Sequence, residues 1–296
     1  MSKPLSDVVA QPIAEQISQL TGQLFQVTSG RSIGGGCINQ AVSITDGQRT
    51  FFVKLNRASQ LAMFEAEYDG LNEMYESHTI RVPQPLCTGV AGERAYIVTE
   101  YLALGGSRSD SAWQRMGEQL AAMHQVTSDE GFGWHRDNTI GATPQKNGWG
   151  DDWSAFWRDR RLGPQFSLAY DRKGHFPRRD ELMSAIPRLL KGHRPAPALL
   201  HGDLWSGNAA ITEAGEPVIL DPATYYGDSE ADLAMTELFG RFPASFYQAY
   251  QKVKPLADGY RQRKTLYNLY HIINHFNLFG GSYASQANRM IDEILG

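Results

Sequence analysis

The chain has 296 residues, of which 42% are hydrophobic, and 28 Lys and Arg stand against 32 Asp and Glu for a formal net charge of −4. This length favours two lobes or domains, and the apolar content is ample for a packed interior, which excludes a disordered chain. The charge balance argues against non-specific binding to nucleic acid or to an acidic membrane surface.

The first hundred residues alternate between helical and strand-like patterns. Apolar spacing predicts a helix over residues 6–22 and a strand-like run over 25–33. After the glycines at 34–36, a hairpin is predicted from strands at 41–44 and 51–55, with Asp46-Gly47 at its turn. The next predicted features are a helix at 63–75, a break at 82–85 and a strand at 95–100.

The rest of the chain is mainly helical in pattern, apart from residues 131–180, where the periodicity is weak. Predicted here are a linker at Gly105-Gly106, a helix at 113–126, a hairpin of 209–212 with 218–220, and final helices that include 260–279. These elements predict an α+β, two-lobe fold. We expect a small β-rich lobe over residues 1–103, a larger mainly helical lobe over 104–296, and a ligand cleft between them.

The cysteine content and the lack of long apolar runs in the sequence favour a soluble protein in a reducing compartment. Cys37 and Cys87 are too few for a disulfide scaffold or a multi-cysteine zinc cage. No apolar run approaches the roughly 20 residues of a membrane helix, and the first residues show no signal-peptide pattern. We therefore expect a soluble cytoplasmic protein with no membrane partner.

The strongest chemical signal is His201-Gly202-Asp203, followed by Asn208 and, after a hairpin, by Asp221. This is the arrangement of the catalytic loop and the metal-binding aspartate in the protein-kinase-like fold. Asp203 can accept a hydrogen bond from an attacking hydroxyl, while Asn208 and Asp221 offer oxygens to Mg²⁺, a hard cation. Turn capping is the alternative for each residue alone, but the combination favours a kinase site.

Lys54 ends a strand beyond the glycine run, where a kinase needs a lysine for the α- and β-phosphates of ATP. A glutamate on the next helix must hold this lysine, and Glu65 and Glu67 are both available. Residues two apart on a helix point about 200° apart, and Glu67 shares the apolar stripe of Phe64 and Leu71. Because a lone carboxylate on such a stripe is costly unless it is paired, we predict Glu67 as the partner.

The glycine run would let backbone N–H groups approach a phosphate through Gly34, Gly35, Gly36 and Cys37. It matches neither G-x-G-x-x-G nor Walker A, so a glycine-rich hairpin turn is the alternative. An electropositive phosphate loop favours a redox-sensitive thiolate at Cys37, and a small buried cysteine is the competing interpretation.

The stretch from His201 to Asn208, with Trp205 after Asp-Leu, resembles the fructosamine kinase, or ketosamine-3-kinase, family. Residues 221–235 resemble the same family, as do 34–39, 132–141 with 144–149, and 267–275, so the similarity runs over nearly the whole chain. One departure is Asn39, where serine is common in the family. Either side chain can hydrogen-bond a phosphate.

The resemblance implies an aminoglycoside-phosphotransferase-like fold and ATP- and Mg²⁺-dependent phosphorylation of the 3-hydroxyl of ketosamines, the Amadori products of amine glycation. It implies Asp203 as the proton acceptor, Asn208 and Asp221 as metal ligands, and Lys54 with Glu67 as the phosphate-binding pair. The hinge that contacts ATP would be formed by Glu100, Tyr101 and Leu102. Loss of the C1 proton and of the C3 phosphate, followed by hydrolysis, would then release the free amine.

The tryptophan-rich stretch of residues 131–161 is expected to form the substrate side of the cleft, because aromatic faces pack on sugars and amides bond to hydroxyls. Substrate contacts are predicted for Trp205, Trp149, Asn138, Gln145 and Asn147, and core positions for Trp153 and Trp157.

Several other polar residues favour structural roles. His201 is expected to brace the catalytic loop, and Asp228 or Asp232 to cap a helix or tie that loop down. His271 and His275, with Tyr267 and Tyr270, have a spacing that suits zinc, but a buried polar helix face is favoured.

Two other functions stay open, namely an aminoglycoside or choline kinase of the same fold and a non-catalytic nucleotide-binding module. Residues 151–194 hold ten Lys and Arg against six Asp and Glu, which disfavours a polycationic substrate. The intact set of predicted site residues disfavours the non-catalytic module. The ketosamine partner is either a small molecule or protein-bound, and the chain is either a monomer or a redox-sensitive dimer.

Overall fold

A five-stranded antiparallel sheet forms the amino-terminal part of the chain in the computed structural model, which describes residues 5–34 and 38–296. Its strands are β1 (Ser29–Ile33), β2 (Gln40–Thr45), β3 (Thr50–Arg57), β4 (Pro85–Ala91) and β5 (Arg94–Glu100). In space they follow the order β1-β2-β3-β5-β4, so β3 and β5 are neighbours at the centre of the sheet.

Helices pack on both faces of this sheet. Helix α1 (Asp7–Thr21) joins the apolar cluster that contains Val53 and Val98, whereas α2 (Leu61–Glu76) joins the cluster that contains Ile97. Successive side chains of a strand point to opposite faces. Lys54 is opposite Ile97 in the β3–β5 register and therefore lies on the α2 face. This alternation brings a lysine from an apolar strand to α2.

The predicted elements of this part are confirmed except for two strands. The break predicted at 82–85 is followed by β4, which the sequence analysis missed. Pro85 is the first residue of this edge strand, a position where the missing N–H of proline costs no ladder bond. The strand predicted from Phe25 begins only at Ser29, because Phe25 is buried beside α1, where its N–H donates to Ser18 Oγ at 2.8 Å.

The rest of the chain is mainly helical, so the predicted α+β fold is confirmed. Its helices are α3 (Asp110–Met123), α4 (Trp153–Phe156), α5 (Gly163–Asp171), α6 (Arg179–Leu189), α7 (Ser229–Thr236), α8 (Ala244–Val253), α9 (Tyr260–Phe279) and α10 (Tyr283–Leu295). Short antiparallel pairs join β6 (Asn138–Ile140) to β7 (Thr143–Gln145), β8 (Ala198–Leu200) to β11 (Tyr225–Gly227), and β9 (Ala209–Ile211) to β10 (Pro217–Ile219).

Helix α9 forms the centre of the large apolar core, with Leu266, Leu269, Ile272 and Ile273 buried together. Its limits agree with the predicted helix at 260–279. Residues 131–180 show weak periodicity because they combine the β6–β7 hairpin with short helices and a π-helical turn at Trp157–Leu162. Within residues 5–34 and 38–296, no helix has both the length and the apolar character needed to cross a membrane.

Candidate active site

The loop after β8 carries the predicted proton acceptor. The three residues of β8 are apolar and buried, and Asp203 follows Leu200 by three residues. Between them, Gly202 has a φ of +82°, and a Cβ there would overlap the carbonyl oxygen of Ala223. The turn that presents Asp203 therefore requires the glycine of the His-Gly-Asp motif.

Asp232 of α7 fixes the backbone of this loop. Its Oδ2 accepts from the N–H of His201 at 2.7 Å, and its Oδ1 accepts from the N–H of Gly202 at 2.8 Å. Burial opposes the charge, but hydrogen bonds and the neighbouring His124 hold the pKa of Asp232 below its usual value. Asp228 caps α7 by accepting from the N–H of Glu230 at 3.0 Å. The two predicted structural roles are thus divided between Asp228 and Asp232.

His201 braces the loop, as predicted. The N–H of Asp203 donates to His201 Nδ1 at 3.2 Å, so the ring proton is on Nε2, which donates to the carbonyl oxygen of Leu220 at 2.8 Å. Burial lowers the pKa of His201 and keeps the ring neutral. The side chain therefore links the loop of Asp203 to the residue just before Asp221.

Asn208 contacts the loop of Asp203 and the residue just before Asp221. Its Nδ2 donates to the backbone oxygen of Asp203 at 2.8 Å, and its own backbone oxygen accepts from the N–H of Leu220 at 2.9 Å. In the part of the chain that the structure describes, no donor contacts Asn208 Oδ1. That oxygen is therefore available to a cation near Asp221.

Lys54 connects β3 of the sheet to α2 and to the segment that follows β10. Its Nζ donates to Glu67 Oε1 and to Asp221 Oδ1, both at 2.6 Å. Burial disfavours the ammonium ion, but the two carboxylates outweigh it and raise the pKa of Lys54 above its ordinary value. Glu65, the alternative partner, instead accepts from Arg136 at 3.2 Å. The structure thus pairs Lys54 with the glutamate that the helical stripe predicts.

Asp203 sits in an environment that favours its protonated form. Burial, followed by the charges of Asp221 and Asp232, raises its pKa to about 7, against a lowering by the hydrogen bond from Asn208. A carboxylate with a pKa near neutrality is a better proton acceptor than an ordinary aspartate. Lys54, Glu67 and Asp221 are thus joined by ion pairs, and Asp203 is joined to Asn208 by a hydrogen bond. The backbone bond from Leu220 to Asn208 brings the two sets together.

The predicted ATP-contacting segments are described in part. Gly34 follows β1 and is exposed, whereas Gly35, Gly36 and Cys37 lie outside the described residues, so the phosphate loop and the redox thiol stay predictions. At the hinge, the side chain of Glu100 binds Arg81, and its backbone N–H donates to Gln84. Tyr101 is exposed and Leu102 half-buried, which leaves this segment open to a nucleotide.

The three amides predicted to contact the substrate, Asn138, Gln145 and Asn147, are buried. Asn138 Oδ1 accepts from Gln145 Nε2 at 2.9 Å and from Asn147 Nδ2 at 2.8 Å. Asn138 also donates to the backbone oxygen of Thr224 at 2.7 Å, and Gln145 donates to that of Ala223 at 3.1 Å. The hydrogen bonds that the structure shows for these amides all go to protein groups. They support the segment after Asp221, which corrects the predicted substrate role.

The tryptophans divide between the core and the surface. Trp153 and Trp157 are buried, as predicted, whereas Trp205 is 38% exposed two residues from Asp203 and stays the predicted sugar contact. Trp149 is half-buried, 6.2 Å from the ring of Tyr226. Trp134, in the stretch predicted to form the substrate side, is buried, and its Nε1 donates to Glu73 of α2 at 2.6 Å.

The predicted buried polar face of α9 is present. Tyr267, Tyr270 and His271 are buried, and His275 bonds to the backbone of His271 at 2.8 Å. Among the described residues, the group with metal-ligand spacing is instead His193, Asp228 and Glu230, beside a cavity of about 510 Å³. Arg263 binds both oxygens of Glu230 and Tyr267 donates to Asp228, so protein groups already occupy these oxygens.

Comparison with known proteins places this site in a family context. The family described as fructosamine kinase matches residues 9–296. A Synechocystis protein named as a probable ketoamine kinase is 56% identical over 96% of both chains. The chloroplastic protein-ribulosamine 3-kinase of Arabidopsis thaliana is 47% identical over 96% of this chain and 87% of its own.

Solved structures agree with the fold. A crystal structure from Haemophilus somnus, assigned to fructosamine-3-kinase, has a TM-score of 0.90 at 29% identity and covers 96% of this chain and 97% of its own. A choline kinase from Streptococcus pneumoniae has a TM-score of 0.63 at 15% identity over 96% and 98% of the two chains. The second likeness concerns the fold alone.

Proposed function

We propose that this chain, which belongs to the fructosamine kinase family, transfers the γ-phosphoryl group of ATP to the 3-hydroxyl of ketosamines. The observation that carries the proposal is the contact of Lys54 with Glu67 and Asp221, beside the loop of Asp203. The names of the ketoamine and ribulosamine kinase relatives support this substrate class.

Lys54 is set to bind the ATP phosphates. Its two partners differ in exposure, since the side chain of Glu67 is 12% exposed and that of Asp221 is 57% exposed. Glu67 therefore holds the ammonium group in place, whereas Asp221 can exchange the lysine for a solvent-accessible ligand. A phosphate oxygen would then take the position that Asp221 Oδ1 occupies on Lys54.

The residues present fit a magnesium ion. Asn208 Oδ1 and the carboxylate of Asp221 are hard oxygen donors, and Mg²⁺ in kinases takes few protein ligands beside the phosphates. When bound, the ion would supply positive charge that neutralises the phosphates.

Asp203 would accept the proton of the ketosamine 3-hydroxyl as its oxygen attacks the γ-phosphorus. Its raised pKa suits this task at neutral pH, and the hydrogen bonds to its loop fix its orientation. Trp205, exposed beside it, would pack on the sugar. The C2 carbonyl acidifies the C1 proton, whose loss gives an enol, and phosphate would then leave C3 with its bonding electrons. Hydrolysis of the resulting C1–N imine would free the amine and leave a dicarbonyl sugar.

The proposal is tested by turnover with ATP and Mg²⁺ on ribulose-lysine, fructose-lysine and an aminoglycoside. We expect ADP formation with a ketosamine and a C3 phosphate ester by ³¹P NMR. Asp203→Asn should lose about 100-fold or more of this turnover, because it removes the proton acceptor, while still binding ADP. Turnover on the aminoglycoside alone, or a ketosamine that stays unphosphorylated, would contradict the proposal. A glycated peptide in the same assay distinguishes free from protein-bound acceptors.

A further inference from the structure

Helix α2 carries contacts on two sides. One side packs Phe64, Leu71 and Met74 into an apolar cluster that includes Ile97 of the sheet. The other side bears acidic residues that contact the mainly helical part of the chain. The helix that carries Glu67 is therefore bonded to both parts of the molecule.

Glu73 makes the most specific of these contacts. Its Oε2 accepts from Trp134 Nε1 and its Oε1 accepts from the Tyr226 hydroxyl, both at 2.6 Å. Burial, together with the Glu73 carboxylate, raises the pKa of Tyr226, so the phenol stays protonated and donates. Both oxygens of one carboxylate are thus used by donors from two segments of the large lobe.

The two donors are held together by backbone bonds. The N–H of Tyr226 donates to the oxygen of Gly133 at 2.7 Å, and the N–H of Gly133 donates back at 2.9 Å. Trp134 is buried, and its own N–H donates to the oxygen of Asn147 at 2.7 Å. Neither donor can follow a shift of α2 without breaking these bonds.

A second layer of contacts lies one turn earlier on α2. A Cβ at Gly70 would overlap the side-chain oxygen of Thr224, so the helix backbone approaches the segment after Asp221 as closely as glycine allows. Arg136 donates to Asp69 at 2.7 Å and to Glu65 at 3.2 Å. These contacts therefore hold α2 from Asp69 to Glu73 against the mainly helical part of the chain.

The consequence concerns Lys54. Glu67 is six residues before Glu73 on the same helix, and Asp221 is five residues before Tyr226 on the opposing segment. Both partners of Lys54 are therefore placed relative to one another by the Glu73 contacts. We propose that Glu73 is a positioning residue, which acts through α2 to hold Glu67 at Lys54 and so sets the phosphate site.

This inference rests on the proposed kinase function for its turnover readout, but not for nucleotide binding. The variants are Glu73→Ala, Glu73→Gln and, as matched control, Glu76→Ala at an exposed position of the same helix. Glu73→Gln keeps both bonds, since the amide oxygen accepts from Trp134 and the amide nitrogen donates to the Tyr226 oxygen. Tyr226→Phe removes a single hydroxyl, which keeps the test available if Glu73→Ala does not fold.

We expect Glu73→Ala to raise the KM for ATP and the Kd for Mg·ADP about tenfold, with a smaller change in the ketosamine KM. Tyr226→Phe should show the same split to a lesser degree, whereas Glu73→Gln and Glu76→Ala should stay within about twofold of the parent. The proposal is overturned if Glu73→Ala lowers the melting temperature yet binds Mg·ADP like Glu76→Ala, or if Glu73→Gln fails as badly as Glu73→Ala. Absence of ketosamine turnover in the parent chain would refute the proposed function, while the Kd values would still decide the role of Glu73.

Discussion

Replacement of His271 by glutamine should remove part of the acid sensitivity of the fold. The imidazole is 4% exposed, and its Nδ1 has no hydrogen-bond partner among the described residues. Burial, and then the neighbouring His275, lower the pKa of His271 from 6.5 to about 3. Between these two values the unfolded chain binds a proton that the folded chain does not, so the free energy of unfolding rises with pH.

The magnitude follows from proton linkage. With pKa values of 6.5 in the unfolded chain and about 3 in the folded chain, lowering the pH from 8.0 to 5.0 removes about 2 kcal/mol of stability. Lowering the pH from 8.0 to 6.0 removes only about 0.8 kcal/mol, since half-protonation of the unfolded chain occurs near pH 6.5. At pH 5.0 a folded pKa of about 4 would give nearly the same loss, because both values lie well below that pH.

Urea unfolding at pH 8.0 and at pH 5.0 measures this difference for the parent and for His271→Gln. The parent should lose about 2 kcal/mol more than the variant over this interval, whatever the absolute stability of each. His78→Gln, at an exposed position, is the matched control. An equal loss in the parent and in His271→Gln would refute the argument that this buried imidazole resists protonation.

The remaining predictions concern the catalytic loop. Gly202→Ala should destabilise the fold by about 3 kcal/mol and abolish turnover, because the left-handed φ and the overlap with Ala223 both oppose a Cβ. Gly192 has a similar φ but open space around it, so Gly192→Ala is the matched control. Urea unfolding of both variants separates the effect of the overlap from that of φ. Equal losses of unfolding free energy would contradict a role for the overlap. Trp205→Ala should raise the ketosamine KM about tenfold and leave the KM for ATP nearly unchanged; steady-state kinetics with each substrate varied would contradict this if both KM values rose alike.

The part of the site that could be predicted follows from short-range periodicity. Strand alternation places Lys54 on the α2 face, and helical phase separates Glu67 from Glu65. Both rules act over a few residues, so the sequence contains them in full. The same holds for Gly202, whose role depends on the local turn.

The errors arise where the partner is distant in the chain. Asn138, Gln145 and Asn147 are polar, which favours an exposed substrate contact, but their polarity is satisfied by backbone oxygens of residues 223 and 224 and by one another. Burial of a polar group depends on whether such partners exist, and spacing does not reveal them. Strand β4 was not predicted because Pro83 and Pro85 indicate a break in the chain, although proline is tolerated at the start of an edge strand.

Glu73 was missed for a related reason. Its donors are 61 and 153 residues away along the chain. The available signal was one more acidic residue on a helix that also carries Glu65, Glu67, Asp69 and Glu76. Such residues are common on a solvated helix, so the signal indicates little. A carboxylate that accepts two hydrogen bonds in the fold looks the same in sequence as one that faces water.

The bonds from Asp232 to the backbone of His201 and Gly202 affect the thermodynamics of ligand binding. These N–H groups bond to a buried carboxylate of the protein itself, so the loop has its shape before any nucleotide arrives. Fixing the backbone of one residue costs about 1–2 kcal/mol of conformational entropy. Here the entropy cost is part of folding, so it does not weaken the binding of substrates. The amide hydrogens of His201 and Gly202 should therefore exchange slowly even in the ligand-free chain.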